Sequence, residues 1–179
     1  MCKSEKGITF LILVITVLIL VILISATAGA AISTYKKAKV KVYIEELELI
    51  KEKMSLYEDK ANVSSLPSLR ALGTEISDSY VSSSDDAVSV EEIKKAKELL
   101  DKLNSEGKLE SVITDTEKEK YVNYRYMSSA DLVAYFEIRD TLENAEGVII
   151  DAAAKKVYSL KPIQYSGKEC YSVDDIRGK

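Results

Sequence analysis

The chain has 179 residues, with 25 Lys and Arg against 29 Asp and Glu, and the net charge of −4 gives no general case for nucleic-acid binding. It contains no His, which excludes Ser–His and Cys–His nucleophile pairs and any His-ligated metal. Its two Cys are too few for a disulfide framework or a four-Cys zinc site, so we predict no catalytic residues, no metal and no cofactor.

Residues 8–32 form an uncharged apolar segment, ITFLILVITVLILVILISATAGAAI. As a helix these 25 residues would be about 37 Å long, against roughly 30 Å of bilayer hydrocarbon. We therefore expect a transmembrane helix in contact with membrane lipid. Cleavage after Ala28 or Ala30 fits the small-residue pattern of signal peptides, so ordinary secretion stays open as an alternative.

Lysines stand on both sides of the apolar segment. Lys3 and Lys6 precede it, and four lysines, here called the basic collar, follow it: Lys36, Lys37, Lys39 and Lys41. The positive-inside rule alone would place the C-terminal part in the cytoplasm. Through residue 41 the chain has six Lys and one Glu, net +5, and the rest has 19 basic and 28 acidic residues, net −9. Charge alone leaves the topology open.

The junction Lys6-Gly7-Ile8-Thr9-Phe10, directly before the apolar run, resembles a type IV prepilin leader. The resemblance implies that a prepilin peptidase cuts between Gly7 and Ile8 on the cytoplasmic side and that the new N-terminus is methylated. It implies a single-pass membrane protein with a cytoplasmic N-terminus and an extracytoplasmic head, which reaches the cell surface after assembly. The function implied is that of a structural subunit of a type IV pilus or type II secretion-like filament, with no enzymatic activity.

The family usually carries Glu five residues after the cut, where this chain has Ile12. Loss of that Glu resembles minor pilins, pseudopilins and clostridial pilin-like proteins whose stems begin K-G-I-T. The resemblance therefore implies a minor pilin or pseudopilin that binds other pilin subunits through its N-terminal helix. It also implies a helix-packing role for the place that Ile12 occupies. Ser25, Gly29 and Ser33 are small residues spaced by four, which lets helices approach closely in lipid, so we expect helix packing there too.

Beyond the apolar segment, apolar residues recur at helical spacing on one face: Val40, Tyr43, Ile44, Leu47, Ile50, Met54 and Tyr57. The domain prediction is a leader at 1–7, a transmembrane or filament-core helix at 8–32, its amphipathic continuation at 33–61, and a globular head at 62–179. The predicted fold class is α+β and type IV pilin-like. Its long N-terminal helix, with a membrane-spanning half and an amphipathic half, packs on a small antiparallel β-sheet head.

Within the head, local patterns predict five elements. They are a helix capped by Ser89 and ending near Asn104, a strand over 121–127, a helix capped by Ser128 or Ser129 through Phe136, a hairpin of 147–151 and 156–160, and a tail over 165–176 with a turn, a strand and a closing helical turn. The order of the last elements resembles the C-terminal part of the clostridial proteins.

Residues that could carry chemistry have plainer interpretations. Cys170 is expected to be a half-buried structural thiol, and Asp78, Asp85 and Asp86 a solvated loop rather than a Ca²⁺ site. Asp174 and Asp175 are adjacent, so they should point apart. The tyrosines of 121–126 predict core packing on the helical stem, with an adhesive surface as the other possibility. The head's ligand is not predicted.

The alternative from another class is a single-pass membrane-anchored adaptor or sensor domain that does not polymerise. The basic collar favours it, since lysines of that density typically stay on the cytoplasmic side. An intact Met1 on the membrane form would distinguish this protein from a processed pilin.

Overall fold

The computed structural model describes residues 5–77, 87–113, 120–138 and 147–178, and of these it leaves out the side chains of 5–11, 23–32 and 87–89. Helix α1 runs from Glu5 to Val63. The chain divides into two compact units, residues 1–42 and 43–179, and each is described by itself.

The predicted fold class is wrong in its membrane-spanning helix, and with it in the pilin-like architecture built on that helix. No helix among the described residues is long and apolar enough to cross a membrane. The apolar side chains described in this region run from Ile12 to Ile22. The α+β class and the antiparallel sheet are confirmed in residues 43–179.

In the second unit, the C-terminal part of α1 packs one apolar face against the core. Leu47, Ile50, Met54 and Tyr57 are buried, as the three- and four-residue spacing predicts. They share one cluster with residues of the sheet and of the helix Ser129–Phe136, and the Tyr57 and Phe136 rings meet edge to face with centroids 6.0 Å apart.

Four antiparallel strands form the main sheet in the order β1-β2-β3-β4: Thr74–Glu75, Tyr124–Met127, Val148–Asp151 and Lys156–Ser159. Side chains alternate between the two faces along each strand, and both faces are buried. Val148, Ile150 and Val157 join the cluster of α1, whereas Ile149 and Tyr158 join a second cluster. The sheet is thus the middle layer between two helices.

Helix α2, Ala87–Ser105, covers the second face with Ile93, Ala96, Leu100 and Leu103. It begins two residues before the predicted cap Ser89, so that cap is wrong, whereas its end agrees with the prediction.

Helix α3, Ser129–Phe136, is capped by Ser128 as predicted. The Asp131 amide donates to Ser128 Oγ at 3.2 Å, and the Ser128 amide donates to Asp131 Oδ2 at 2.9 Å. This reciprocal capping box satisfies two backbone donors at the start of the helix.

The C-terminal tail forms a hairpin of β5, Ile163–Tyr165, and β6, Lys168–Cys170, followed by helix α4, Val173–Arg177. The Ser159 amide at the edge of β4 donates to the Tyr171 carbonyl at 2.8 Å, so the tail also covers part of the sheet edge. The predicted turn, strand and closing helical turn are confirmed, and β5 is an additional strand.

Candidate functional site

The predicted processing and packing residues lie along the N-terminal part of α1. Gly7 and Ile8 fall within the helix bounds, but their side chains, like those of Ser25 and Gly29, lie outside the described residues. Ile12 is 56% exposed and Ser33 is also exposed. The cleavage and packing assignments therefore stay predictions.

Between Ile12 and Ile22 the first unit presents an apolar surface. Every large apolar side chain in this range is between 39% and 66% exposed. Isolated exposed apolar residues are ordinary, but a contiguous run of this kind marks a surface that binds lipid or another protein.

The basic collar follows in the same unit. Its four lysines are exposed, and the preceding Tyr35 is 70% exposed. Among the described residues, Lys36, Lys37 and Lys39 form no ion pair. Sequence reasoning used the collar only for topology, and its exposure makes it a candidate binding surface.

In the second unit, Asp174 and Asp175 point apart as predicted, and each meets a different lysine. Asp174 Oδ2 lies 2.8 Å from Lys156 Nζ, and Asp175 Oδ1 lies 3.0 Å from Lys108 Nζ. Burial raises the pKa of Asp175, but hydrogen bonds from the Tyr171 and Ser172 amides and from Lys108 outweigh burial and hold that pKa below its usual value. The two carboxylates hold the C-terminal tail against β4 and the segment after α2, and they do not form an acid/base couple.

We expect Asp175→Asn to lower the free energy of unfolding by about 1–3 kcal/mol at pH 7, since it weakens charge-assisted hydrogen bonds. A lowered folded-state pKa stabilises the fold above the unfolded carboxyl pKa of about 3.9, and this stabilisation is lost as the pH falls through the folded-state value. Urea unfolding at pH 7, 5 and 3 should therefore show the difference from wild type shrinking below about pH 4. Asp59→Asn, at an exposed carboxylate, is the control, and an equal effect there would contradict the assignment.

A second polar cluster joins α2 to β6. Lys102 Nζ donates to Glu169 Oε2 at 2.8 Å and to the Tyr171 hydroxyl at 2.9 Å, and that hydroxyl donates to Glu169 Oε2 at 2.8 Å. The hydrogen bond from Lys102, with that from Tyr171, lowers the pKa of Glu169. Each group already has partners, so the cluster works as a clamp rather than as a source of a free base.

Cys170 is 3% exposed, and burial raises its pKa. A buried thiol of raised pKa is a poor nucleophile, which confirms the structural interpretation. Its backbone carbonyl accepts a hydrogen bond from the Tyr43 hydroxyl at 3.1 Å, so this strand end is also tied to α1.

The tyrosine-rich strand is core and not an adhesive surface. The strand predicted over 121–127 begins only at Tyr124, and Tyr121 lies in the turn before it. Tyr121, Tyr124 and Tyr126 are 6%, 0% and 3% exposed, because all three pack in the cluster that α2 covers. Core packing is confirmed, and adhesion by these three side chains is overturned. The predicted packing on the helical stem is wrong, because the three tyrosines join the cluster of α2 and not that of α1.

Sequence reasoning missed Asp151, which is fully buried at the end of β3. Its Oδ1 accepts hydrogen bonds from the Ala153 and Ala154 amides, both at 2.9 Å, and shapes the turn to β4. Oδ2 has no hydrogen-bond partner among the described residues. An Asp at the start of a four-residue hairpin link was the available sequence signal.

Metal and small-molecule sites find no support in the described part of the chain. No group of three or more Cys, Asp or Glu there could hold a metal ion, and Asp78, Asp85 and Asp86 lie outside the described residues. A cavity beside Leu47 and Val157 has a volume of about 30 Å³, room for a water molecule or two and too small for a metabolite.

Comparison with known proteins adds no family. No family model matches the chain, and no curated protein or solved structure matches it significantly.

Proposed function

We propose that the chain is a structural and assembly subunit, a minor pilin or pseudopilin, of a type IV pilus or a type II secretion-like filament. A prepilin peptidase cuts it after Gly7, and membrane lipid holds residues 8–32 until other subunits replace the lipid. The head lies outside the cytoplasm and has no enzymatic activity.

One observation carries this proposal: the charged leader ends in Lys6-Gly7 immediately before 25 uncharged residues. The leader's charges keep the cleavage site at the membrane face, and a residue without a side chain lets a protease reach the backbone. The exposed apolar run from Ile12 to Ile22 supports it, since such a surface needs lipid or another subunit as cover. Fully partnered polar clusters in the second unit support a role without catalysis.

Mass spectrometry of the protein extracted from its native membrane tests the proposal by reading its N-terminus. We expect a chain that starts at Ile8 and carries an added methyl group. A membrane form that retains Met1 would contradict prepilin processing and favour an anchored adaptor or sensor, for which the exposed basic collar is the specific observation.

A further inference from the structure

We propose that the basic collar is a binding site for anionic lipid headgroups. The inference rests on one premise of the proposed function, namely that lipid covers the apolar segment whose described side chains, Ile12 to Ile22, are exposed. It adds the chemical class of the lipid and the residues that recognise it.

The positive charge of the basic collar favours an anionic partner. Lys36, Lys37 and Lys39 are exposed and form no ion pair among the described residues, so their ammonium groups are available to an external anion. The chain through residue 41 is net +5, whereas the rest is net −9. An anionic surface therefore repels most of the chain and attracts this segment, which fixes where such a surface can bind.

The basic collar also lies close to the end of the apolar segment along the helix. Lys36 comes four residues after Ile32, the end of the apolar segment, or about 6 Å further along a helix axis. The collar therefore lies about 6–14 Å beyond Ile32, from the outer edge of a headgroup layer of roughly 5–8 Å outward, and the long lysine side chains can bend back to reach the headgroups. Tyr35, 70% exposed, stands at the boundary, where an aromatic ring with a hydroxyl is favoured.

Distribution around the helix separates lipid from a protein partner. At about 100° per residue, the four collar lysines spread over roughly 200° of the circumference of α1. A protein that docks on one helix face would contact only part of such a set. Lipid headgroups surround the helix and contact all of it, so lipid is the occupant that the geometry favours.

The test compares how the full chain partitions into neutral phosphatidylcholine vesicles and into vesicles that contain phosphatidylglycerol. We define the anionic preference as the partition coefficient into phosphatidylglycerol vesicles divided by that into neutral vesicles. In a triple variant, Lys36→Gln, Lys37→Gln and Lys39→Gln, this ratio should fall about fivefold per lysine, hence roughly a hundredfold in all. High salt should weaken the wild-type preference in the same direction. The triple Lys→Arg variant keeps the charge and should keep the preference.

A matched control removes three exposed lysines of the second unit, Lys51→Gln, Lys60→Gln and Lys94→Gln, and gives the same net charge of −7, since −4 − 3 = −7. An equal loss in this control, or an unchanged preference in the collar variant, would overturn the proposal. So would salt-sensitive self-association without any vesicle preference, because the collar's partner would then be a second copy. The N-terminus is read separately, so failed processing and a failed collar give different results.

Discussion

Replacing Gly7 by Val should leave the protein uncut between residues 7 and 8 in cells that process the wild type. A Val side chain separates the protease from the scissile backbone, and a displacement of about 1 Å at a reacting bond can lower a rate about a hundredfold. Intact-mass measurement of the membrane fraction should show the leader still attached.

Gly29→Ala is the matched control, since it adds a methyl group to the same segment far from the cut. It should be processed like the wild type. A Gly7→Val chain that still begins at Ile8 would remove the processing assignment, whatever the fate of the control.

Gly73→Ala should lower the free energy of unfolding by about 2–5 kcal/mol, the largest stability effect of a single methyl group that we predict. Gly73 has φ +64°, and a Cβ there would lie 2.3 Å from the Tyr126 carbonyl oxygen and 2.5 Å from Met127 Sδ. The Met side chain can move, but the carbonyl belongs to β2 and pairs with β1. Either β1 shifts or the strand pair separates.

Gly107 supplies the control, because its φ is +69° and a Cβ there meets nothing within 4 Å. Gly107→Ala should lower the free energy of unfolding by only about 1–2 kcal/mol, the cost of placing a residue with a Cβ in the left-handed backbone conformation. Urea unfolding of the full chain can be followed by tyrosine fluorescence, as the protein has 11 Tyr and no Trp. Equal losses in the two variants would show that the close approach at Gly73 contributes nothing.

Local patterns predicted the head where one short segment decides its own structure. The capping box at Ser128 and the hairpin that begins at Val148 depend on neighbours within a few residues, and both are confirmed. The stripe from Leu47 to Tyr57 was predictable for the same reason, since helical spacing alone gathers it on one face.

Other features depend on partners distant in sequence. Strand β1 has two residues, too few for a local strand pattern, and only its pairing with Arg125 and Tyr126 makes it a strand. The partners of Asp174 and Asp175 come from β4 and from the segment after α2, which no local pattern indicates. For the apolar segment, composition alone led to a membrane-spanning helix, which the described residues do not contain. Of the predicted site, only Ile12 and Ser33 have described side chains, and both are exposed.

The burial of Cys170 has a consequence for observing this protein at work. A chain cut after Gly7 loses Cys2 with its leader and keeps Cys170 as its single thiol. A soluble thiol reagent can then react only when the tail hairpin opens, so the labelling rate measures how often β6 detaches from the fold. The same burial keeps folded chains from forming disulfides with one another through Cys170.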